Sequence, residues 1–269
     1  MTTIRHLNDG PVPQHTPELD ISAHLRQDIN RLKGEFYDLE RGRVDYQAMR
    51  QSEAYRQYVA DSALLREYDL RRLGSREEQL AFWINLYNTL VIHGIIALEI
   101  RDSVKDIPHF FDSFGYQVGG MSFTPDAIEH GVLRGNSRPS YGLFRPFDRG
   151  DARLACVIEP PDPRIHFTLV CASSSCPPIN VYQPERIEEQ LNVAAAGFVN
   201  GPEVEILPGE NLLRLSPIFK WYRPDFGGHE GVIDTLIRHL DHGVAKNFLI
   251  ERGMAADVEW KDYDWRLNR

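Results

Sequence analysis

The chain has 269 residues, enough for one large domain or two small ones, and its 42% hydrophobic and 26% charged residues are typical of a globular protein. Its formal net charge is −9, from 30 Lys and Arg against 39 Asp and Glu, so it lacks the basic character of proteins that bind nucleic acid or anionic membranes. The 3 cysteines are too few for a disulfide-built fold and favour a reducing compartment. Since the polar N-terminus has no secretory signal pattern, we expect a cytoplasmic protein.

Helical patterns predominate in the first hundred residues. Residues 1–16 are polar, and we expect them to form a flexible leader. Residues 17–72 predict an N-terminal helical part, in which apolar residues recur at helical spacing between Ile21 and Leu39.

The most apolar segment of the chain predicts a long buried helix over residues 76–98. Ser75 and Glu78 have the spacing of a capping box, which marks a helix start. The segment contains asparagines and a histidine, and it falls short of the roughly 20 clean apolar residues that a membrane span needs. We therefore expect a core helix of a soluble protein and no membrane partner.

Beyond this helix, strand patterns mix with shorter helical ones. Gly119 and Gly120 form the predicted turn of a hairpin over residues 116–124, and Thr124 with Pro125 predicts the start of a short helix. Further predicted elements are a buried strand over 164–172, a helix over 184–199, a hairpin of 203–207 with 211–215, a helix after Ser216, helical residues 230–252 and a closing strand. This order predicts an α+β fold: a single domain with N-terminal helices, a long buried central helix, and a small, mostly antiparallel sheet built partly from hairpins.

The densest group of reactive side chains lies between residues 166 and 176. His166 precedes Cys171 and Cys176, and the serine-rich turn with Ser173 and Ser175 is of a kind that presents backbone N–H groups to an anion such as a thiolate. Four interpretations fit this pattern. In the first, these residues are part of the buried core, and in the second Cys176 carries out thiol chemistry. In the third, Cys171, Cys176 and His166 hold zinc or another soft metal in a structural site, and in the fourth the two cysteines form a reversible disulfide.

Two asparagines interrupt the apolar central helix. Asn85 and Asn88 are three residues apart and therefore share a helix face. Because a buried amide without partners costs about 1–3 kcal/mol, both must have designated partners. They either hydrogen-bond the backbone of a loop or orient a catalytic histidine or a substrate carbonyl.

An acid and a histidine are adjacent at Glu129 and His130. This pair is typical of general-base chemistry, but neighbours on an α-helix point about 100° apart. We therefore do not expect Glu129 to orient His130, and a histidine at a helix end, facing the helix dipole, is the alternative.

Several motifs, in chain order, resemble the domain-of-unknown-function family 547. They are AFWINLYN, YQVGG followed by DAIEHGVLR, DPRIHF with LVC and SCPP, IFKWYRPDFG, and the terminal YDWRLN. The resemblance runs from Leu73 to Asn268 and implies that residues 73–269 are the family domain. Its motif positions include Trp83, Asn85, Asn88, Glu129, His130, His166, Cys171, Cys176 and Asp264. Members of the family stand alone in bacteria, follow a coiled coil in plants, or accompany a glutaredoxin-like domain, and the resemblance implies no particular reaction.

These patterns favour a thiol-dependent enzyme for acyl transfer or hydrolysis of a small or peptide-like substrate, without a cofactor. In this hypothesis Cys176 is the nucleophile, His130 or His166 is its base, and Asn85 and Asn88 orient the base or donate to an oxyanion. The candidate substrate-binding residues are Trp83, Glu129, Ser173, Ser175 and Asp264. The arrangement is similar to papain-like or transglutaminase-like sites by analogy only.

Two other functions fit the same residues. One is a redox or metal-binding module that uses Cys171, Cys176 and a histidine, with zinc or another soft metal. The other is a non-catalytic interaction module in which the motifs anchor the core and the loops. Neither predicts a nucleic-acid partner.

Overall fold

Helices build most of the first hundred residues, as their apolar spacing predicts. The computed structural model describes residues 4–16, 18–38, 40–177 and 179–269. Residues 1–3, Pro17, Leu39 and Pro178, which belong to the predicted leader, the N-terminal helical part and the cysteine motif, lie outside the described residues. The helices are α1 (Ile21–Phe36), α2 (Tyr46–Gln51), α3 (Glu53–Ser62), α4 (Arg76–Ala97), α5 (Phe110–Ser113), α6 (Ile187–Val199), α7 (Pro217–Trp221), α8 (Gly228–His239) and α9 (Val244–Arg252).

Shorter helical segments connect these elements. A π-helix spans Ala127–Leu133. Short 3₁₀ helices are Ala63–Glu67, Leu70–Arg72, Val104–Asp106, Ala152–Cys156, Pro163–Phe167, Pro184–Arg186, Pro208–Glu210 and Gly253–Ala255.

The strands form small sheets. They are β1 (Arg5–His6), β2 (Tyr37–Asp38), β3 (Arg43–Val44), β4 (Phe114–Val118), β5 (Met121–Phe123), β6 (Val204–Leu207), β7 (Leu212–Leu215) and β8 (Asp257–Trp260). In the described residues the sheets have the orders β1-β4-β5, β2-β3 and β6-β7-β8. The pairs β2–β3, β4–β5 and β6–β7 are antiparallel, while β1 joins β4 and β8 joins β7 in parallel. The prediction of an α+β fold with small sheets built partly from hairpins is confirmed.

The central helix α4 is the long buried helix that the sequence predicts. The Ser75 side chain accepts from the backbone N–H of Glu78, and the Glu78 side chain accepts from the N–H of Ser75, which completes the predicted capping box. By length and composition α4 could cross a membrane, but 94% of its apolar window is buried inside the protein.

The β4–β5 hairpin turns at the predicted glycine pair. Gly119 and Gly120 have φ values of +56° and +77°, a region that favours glycine. A Cβ on Gly119 would also lie 2.8 Å from the carbonyl oxygen of Tyr68. The turn fixes the register in which Val118 opposes Met121.

Two apolar cores meet behind the candidate site. The larger core surrounds α4 and includes Trp83, Phe114 and Phe123, whereas the smaller core contains Phe167 and Phe219. The 3₁₀ helix Pro163–Phe167 contributes Ile165 to the larger core and Phe167 to the smaller one. Residues on this segment are therefore held from both sides.

One prediction about local structure is wrong. Residues 164–172 do not form a strand: Asp162 caps the 3₁₀ helix at Pro163, and the chain that follows is irregular. The predicted flexible leader, residues 1–16, is packed in part, because β1 pairs with β4 and Asn8 hydrogen-bonds the backbone of Ser62 and Gln117, while residues 9–16 are largely exposed where the structure describes them. In both places tertiary contacts, which a sequence pattern does not contain, decide the local structure.

Candidate active site

A cavity of about 730 Å³ lies at the junction of the two cores. Its wall is rich in aromatic side chains and also carries several titratable groups. The aromatic members include Phe110, Phe111, Tyr141, Trp221, Tyr222 and Trp265; the polar members used below are Tyr87, Asp126, Glu129, His130, His166 and Cys171. We call this cavity the aromatic pocket. Its volume is in the range of small-molecule sites, about 300–1,000 Å³.

Glu129 is a buried carboxylate held by two tyrosines. The Tyr222 hydroxyl donates to Oε1 at 2.6 Å, and the Tyr87 hydroxyl donates to Oε2 at 3.1 Å. Burial alone would raise the pKa of Glu129, but the electrostatic interaction with His130 and the hydrogen bond from Tyr222, with smaller contributions from His166 and Arg134, hold that pKa below its usual value. Glu129 is therefore an ionised carboxylate at the pocket wall.

Glu129 and His130 are adjacent on the π-helix. Its turns are wider than those of an α-helix, since the backbone N–H of Arg134 donates to the carbonyl of Glu129, five residues earlier, at 2.9 Å. Glu129 Oε1 lies 3.6 Å from His130 Nδ1, beyond hydrogen-bond distance, and Arg134 is the residue that hydrogen-bonds this nitrogen. Glu129 therefore lies near His130 but does not orient it through a hydrogen bond, as expected.

His130 is a neutral imidazole with a defined tautomer. Arg134 Nη1 donates to its Nδ1 at 2.9 Å, so the ring proton is on Nε2, which donates to the Tyr141 oxygen at 3.2 Å. Burial and the Arg134 charge lower the pKa of His130 to about 4. Both ring nitrogens are thus engaged, which makes His130 a poor base for a thiol.

His166 is oriented by an aspartate from another part of the chain. Its Nε2 lies 2.8 Å from Oδ2 of Asp225, and its ring stacks on Tyr222 with centroids 3.8 Å apart. Asp225 also binds Arg134 through two hydrogen bonds, at 2.5 and 2.9 Å. Burial lowers the pKa of His166 despite the attraction of Asp225, so a neutral ring donates from Nε2 and keeps Nδ1 as its acceptor. An aspartate that orients a neutral histidine is the arrangement of a general base.

Asp126 is a second carboxylate in the pocket, with the opposite pKa shift to that of Glu129. The Tyr141 hydroxyl donates to its Oδ2 at 2.5 Å. Burial and the nearby charges of Glu129 and Asp112 raise the pKa of Asp126 to about 7. Two carboxyl groups with pKa values pushed in opposite directions are typical of acid–base chemistry.

We expect Asp126→Asn to change how stability depends on pH. The folded-state pKa of about 7 exceeds the ordinary value of 3.8, so protonated Asp126 stabilises the fold at low pH and this contribution is lost as the pH rises through about 7. Because asparagine stays neutral, urea unfolding should show the variant gaining about 2–3 kcal/mol over the native chain between pH 5 and pH 8. Asp257→Asn, on exposed β8, is the control, and parallel pH curves for Asp126→Asn and the native chain would contradict the assignment.

The predicted catalytic asparagines are loop anchors. Asn85 donates to the carbonyl of Tyr182 and accepts from the Tyr182 N–H, both at 2.8 Å. Asn88 donates to the carbonyl of Thr168 at 2.9 Å and accepts from the N–H of Val170 at 2.8 Å. Both amides are committed to backbone groups, so the structural alternative for them is correct and the catalytic one is not supported.

The two cysteines of the motif are joined to each other. A disulfide links Cys171 to Cys176, and of these two residues only Cys171 lines the aromatic pocket. The proposed ligand set of Cys171, Cys176 and His166 is not assembled, because the sulfurs are bonded together and His166 Nε2 binds Asp225. Cys176 is therefore not the sulfur best placed to meet a substrate.

The remaining candidate substrate-binding residues lie elsewhere. Trp83 is buried in the larger core against Phe82 and Phe123. Ser173 contacts the Cys171 sulfur at 3.1 Å, while the Ser175 hydroxyl accepts from the backbone N–H of Asp264 at 3.0 Å. The Asp264 carboxylate pairs with Arg266 on the surface. Among the candidates, Glu129 lines the pocket and the other four are not part of its described lining.

Sequence reasoning missed the partners that organise this site. Arg134, Asp225, Tyr222 and Tyr141 come from three separated segments. Arg134 lies four residues after His130, a spacing that could have linked the two. Asp225 and Tyr222 belong to the IFKWYRPDFG turn, which carries no signal for the residues it contacts.

Comparisons with known proteins identify a family and no reaction. A family model described as "Protein of unknown function, DUF547" matches residues 70–199. This match contains α4, the π-helix and both motif cysteines but ends before Tyr222 and Asp225. Searches of curated proteins and of solved structures find no match.

Proposed function

Since the chain belongs, through residues 70–199, to the DUF547 family, whose description names no reaction, we propose a function from the aromatic pocket itself. The proposed function is thiol-dependent acyl transfer or hydrolysis of a small or peptide-like substrate by the reduced protein. The observation that carries the proposal is that Cys171, the Asp225-held His166 and the ionised Glu129 line one cavity.

Cys171 takes the role of nucleophile in this proposal, in place of Cys176. Its thiolate attacks the carbonyl carbon of the substrate, the bond from that carbon to the leaving group breaks, and the leaving group takes up the proton that the base removed from the thiol. The resulting thioester is then hydrolysed by water or passes its acyl group to another acceptor. His166 supplies the base, because its Nε2 is bound to Asp225 and its Nδ1 is the nitrogen that can accept a proton. The aromatic wall offers apolar surface for the rest of the substrate, and the pocket volume of about 730 Å³ suits a small one.

The test is acylation of the reduced, desalted protein by p-nitrophenyl acetate. We expect a burst of about one p-nitrophenolate per chain, with the acetyl group on Cys171 by mass spectrometry. Cys171→Ser should abolish the burst, and His166→Gln should slow it about 100-fold, as expected for loss of a general base.

Cys156→Ser is the matched control. Cys156 is a free cysteine outside the described pocket lining, and burial raises the pKa of its thiol to about 11, so this variant should keep the full burst. Circular dichroism and thermal unfolding check that each variant is folded. A burst that survives in folded Cys171→Ser would overturn the proposal and favour the interaction-module alternative.

A further inference from the structure

The disulfide is exposed to the aromatic pocket on one side only. Cys171 lines the pocket, and Cys176 packs against the larger core, outside the described pocket lining. A small thiol that enters the pocket therefore meets the Cys171 sulfur first. Attack at that sulfur would expel Cys176 as the leaving thiolate.

Both sulfurs have hydrogen-bond donors within reach. The backbone N–H of Cys171 donates to Cys176 Sγ at 2.8 Å. The Tyr263 hydroxyl lies 3.1 Å from Cys171 Sγ and 3.5 Å from Cys176 Sγ. Because burial raises the pKa of Tyr263, its O–H remains a donor at neutral pH. Donors of this kind stabilise a thiolate and make it a better leaving group.

The loop that carries Cys176 is held independently of the disulfide. The Ser174 N–H donates to the carbonyl of Arg266 at 2.8 Å, and the Ser175 hydroxyl accepts from the Asp264 N–H at 3.0 Å. Tyr263 also packs against Trp265, with ring centroids 4.7 Å apart. These contacts keep the two cysteines and the Tyr263 hydroxyl near one another when the disulfide is reduced.

We propose that Cys171, Cys176 and Tyr263 form a reversible thiol–disulfide centre for low-molecular-weight thiols such as glutathione. A glutathione thiolate attacks Cys171 Sγ, the bond to Cys176 breaks, and Cys176 leaves as a thiolate that the Cys171 N–H and the Tyr263 O–H stabilise. A second glutathione thiolate attacks the mixed disulfide, which releases oxidised glutathione and the Cys171 thiolate. Two electrons thus pass from two glutathiones to the protein, and oxidised glutathione drives the reverse reaction.

This inference shares Cys171 with the proposed acyl transfer but needs no acyl substrate. A protein that exchanges its disulfide with glutathione but gives no burst with p-nitrophenyl acetate would overturn acyl transfer alone, and a burst without exchange would overturn only the thiol–disulfide centre. The two proposals can fail separately for this reason.

The experiment follows exchange between the protein and defined mixtures of reduced and oxidised glutathione, with acid quenching, thiol tagging and mass spectrometry. We expect the native disulfide to form and break reversibly. Cys176→Ser should trap glutathione on Cys171, and Cys171→Ser should react much more slowly at Cys176. Tyr263→Phe should slow reduction of the disulfide about three- to tenfold.

Tyr46→Phe is the matched control for Tyr263→Phe. The Tyr46 hydroxyl also lies next to the C-terminal tail, where it donates to Asn268 Oδ1 at 2.8 Å. It has no described contact with either sulfur. This variant should exchange at the native rate. A native chain that stays a dithiol in excess oxidised glutathione, equal adducts on both cysteines, or an unchanged rate in Tyr263→Phe would each overturn the proposal.

Discussion

Arg134→Met should lower the free energy of unfolding by about 3–5 kcal/mol, because it leaves a buried carboxylate without its main counter-charge. Arg134 is 3% exposed and binds Asp225 through two hydrogen bonds. Its loss also removes a charge that lowers the pKa values of His130 and His166, so both should rise. Urea unfolding measures the first effect, and NMR titration of the imidazoles measures the second.

Two further variants show whether the loss in the free energy of unfolding comes from the unpaired charge of Asp225. The double variant Arg134→Met with Asp225→Leu removes both charges and should recover much of the lost stability. Arg214→Met breaks an exposed ion pair with Glu259 and should leave the unfolding midpoint unchanged. If Arg134→Met is no more destabilising than Arg214→Met, the buried pair is not a structural element of the site.

Asn88→Ala should lower the free energy of unfolding by about 3 kcal/mol, because it leaves two buried backbone groups without partners. These groups are the carbonyl of Thr168 and the N–H of Val170, and Asn88 itself is 1% exposed. The same contacts fix the chain that leads into Cys171. We therefore expect slower alkylation of Cys171 in the reduced protein to accompany the loss of stability, with iodoacetamide labelling and urea unfolding as the measurements.

Asn247→Ala is the control for this substitution. Asn247 lies exposed on α9, so its replacement by alanine should leave the unfolding curve close to the native one. If the Asn88→Ala variant instead keeps native stability and only the reactivity of the Cys171 thiol is lost, Asn88 has the orienting role of a catalytic asparagine.

The sequence by itself determined the elements whose signals are local. The capping box at Ser75 and Glu78 predicted where α4 begins, and the glycine pair at 119 and 120 predicted the turn of the hairpin. The apolar character of the segment predicted that the central helix is buried. Each depends on residues a few positions apart, within the range of helix and turn geometry. The motif positions of Glu129, His130, His166 and Cys171 were also identified from the chain alone, and all four line the aromatic pocket.

Only the tertiary structure decided the roles of these residues. Asp225 reaches His166 across 59 positions, and Asn88 reaches Thr168 across 80, so no local pattern contains either contact. The π-helix itself was not predicted, and its hydrogen bonds span five residues where those of an α-helix span four. Likewise, the choice between Cys171 and Cys176 depends on which sulfur faces a cavity, and a cavity exists only when distant segments pack.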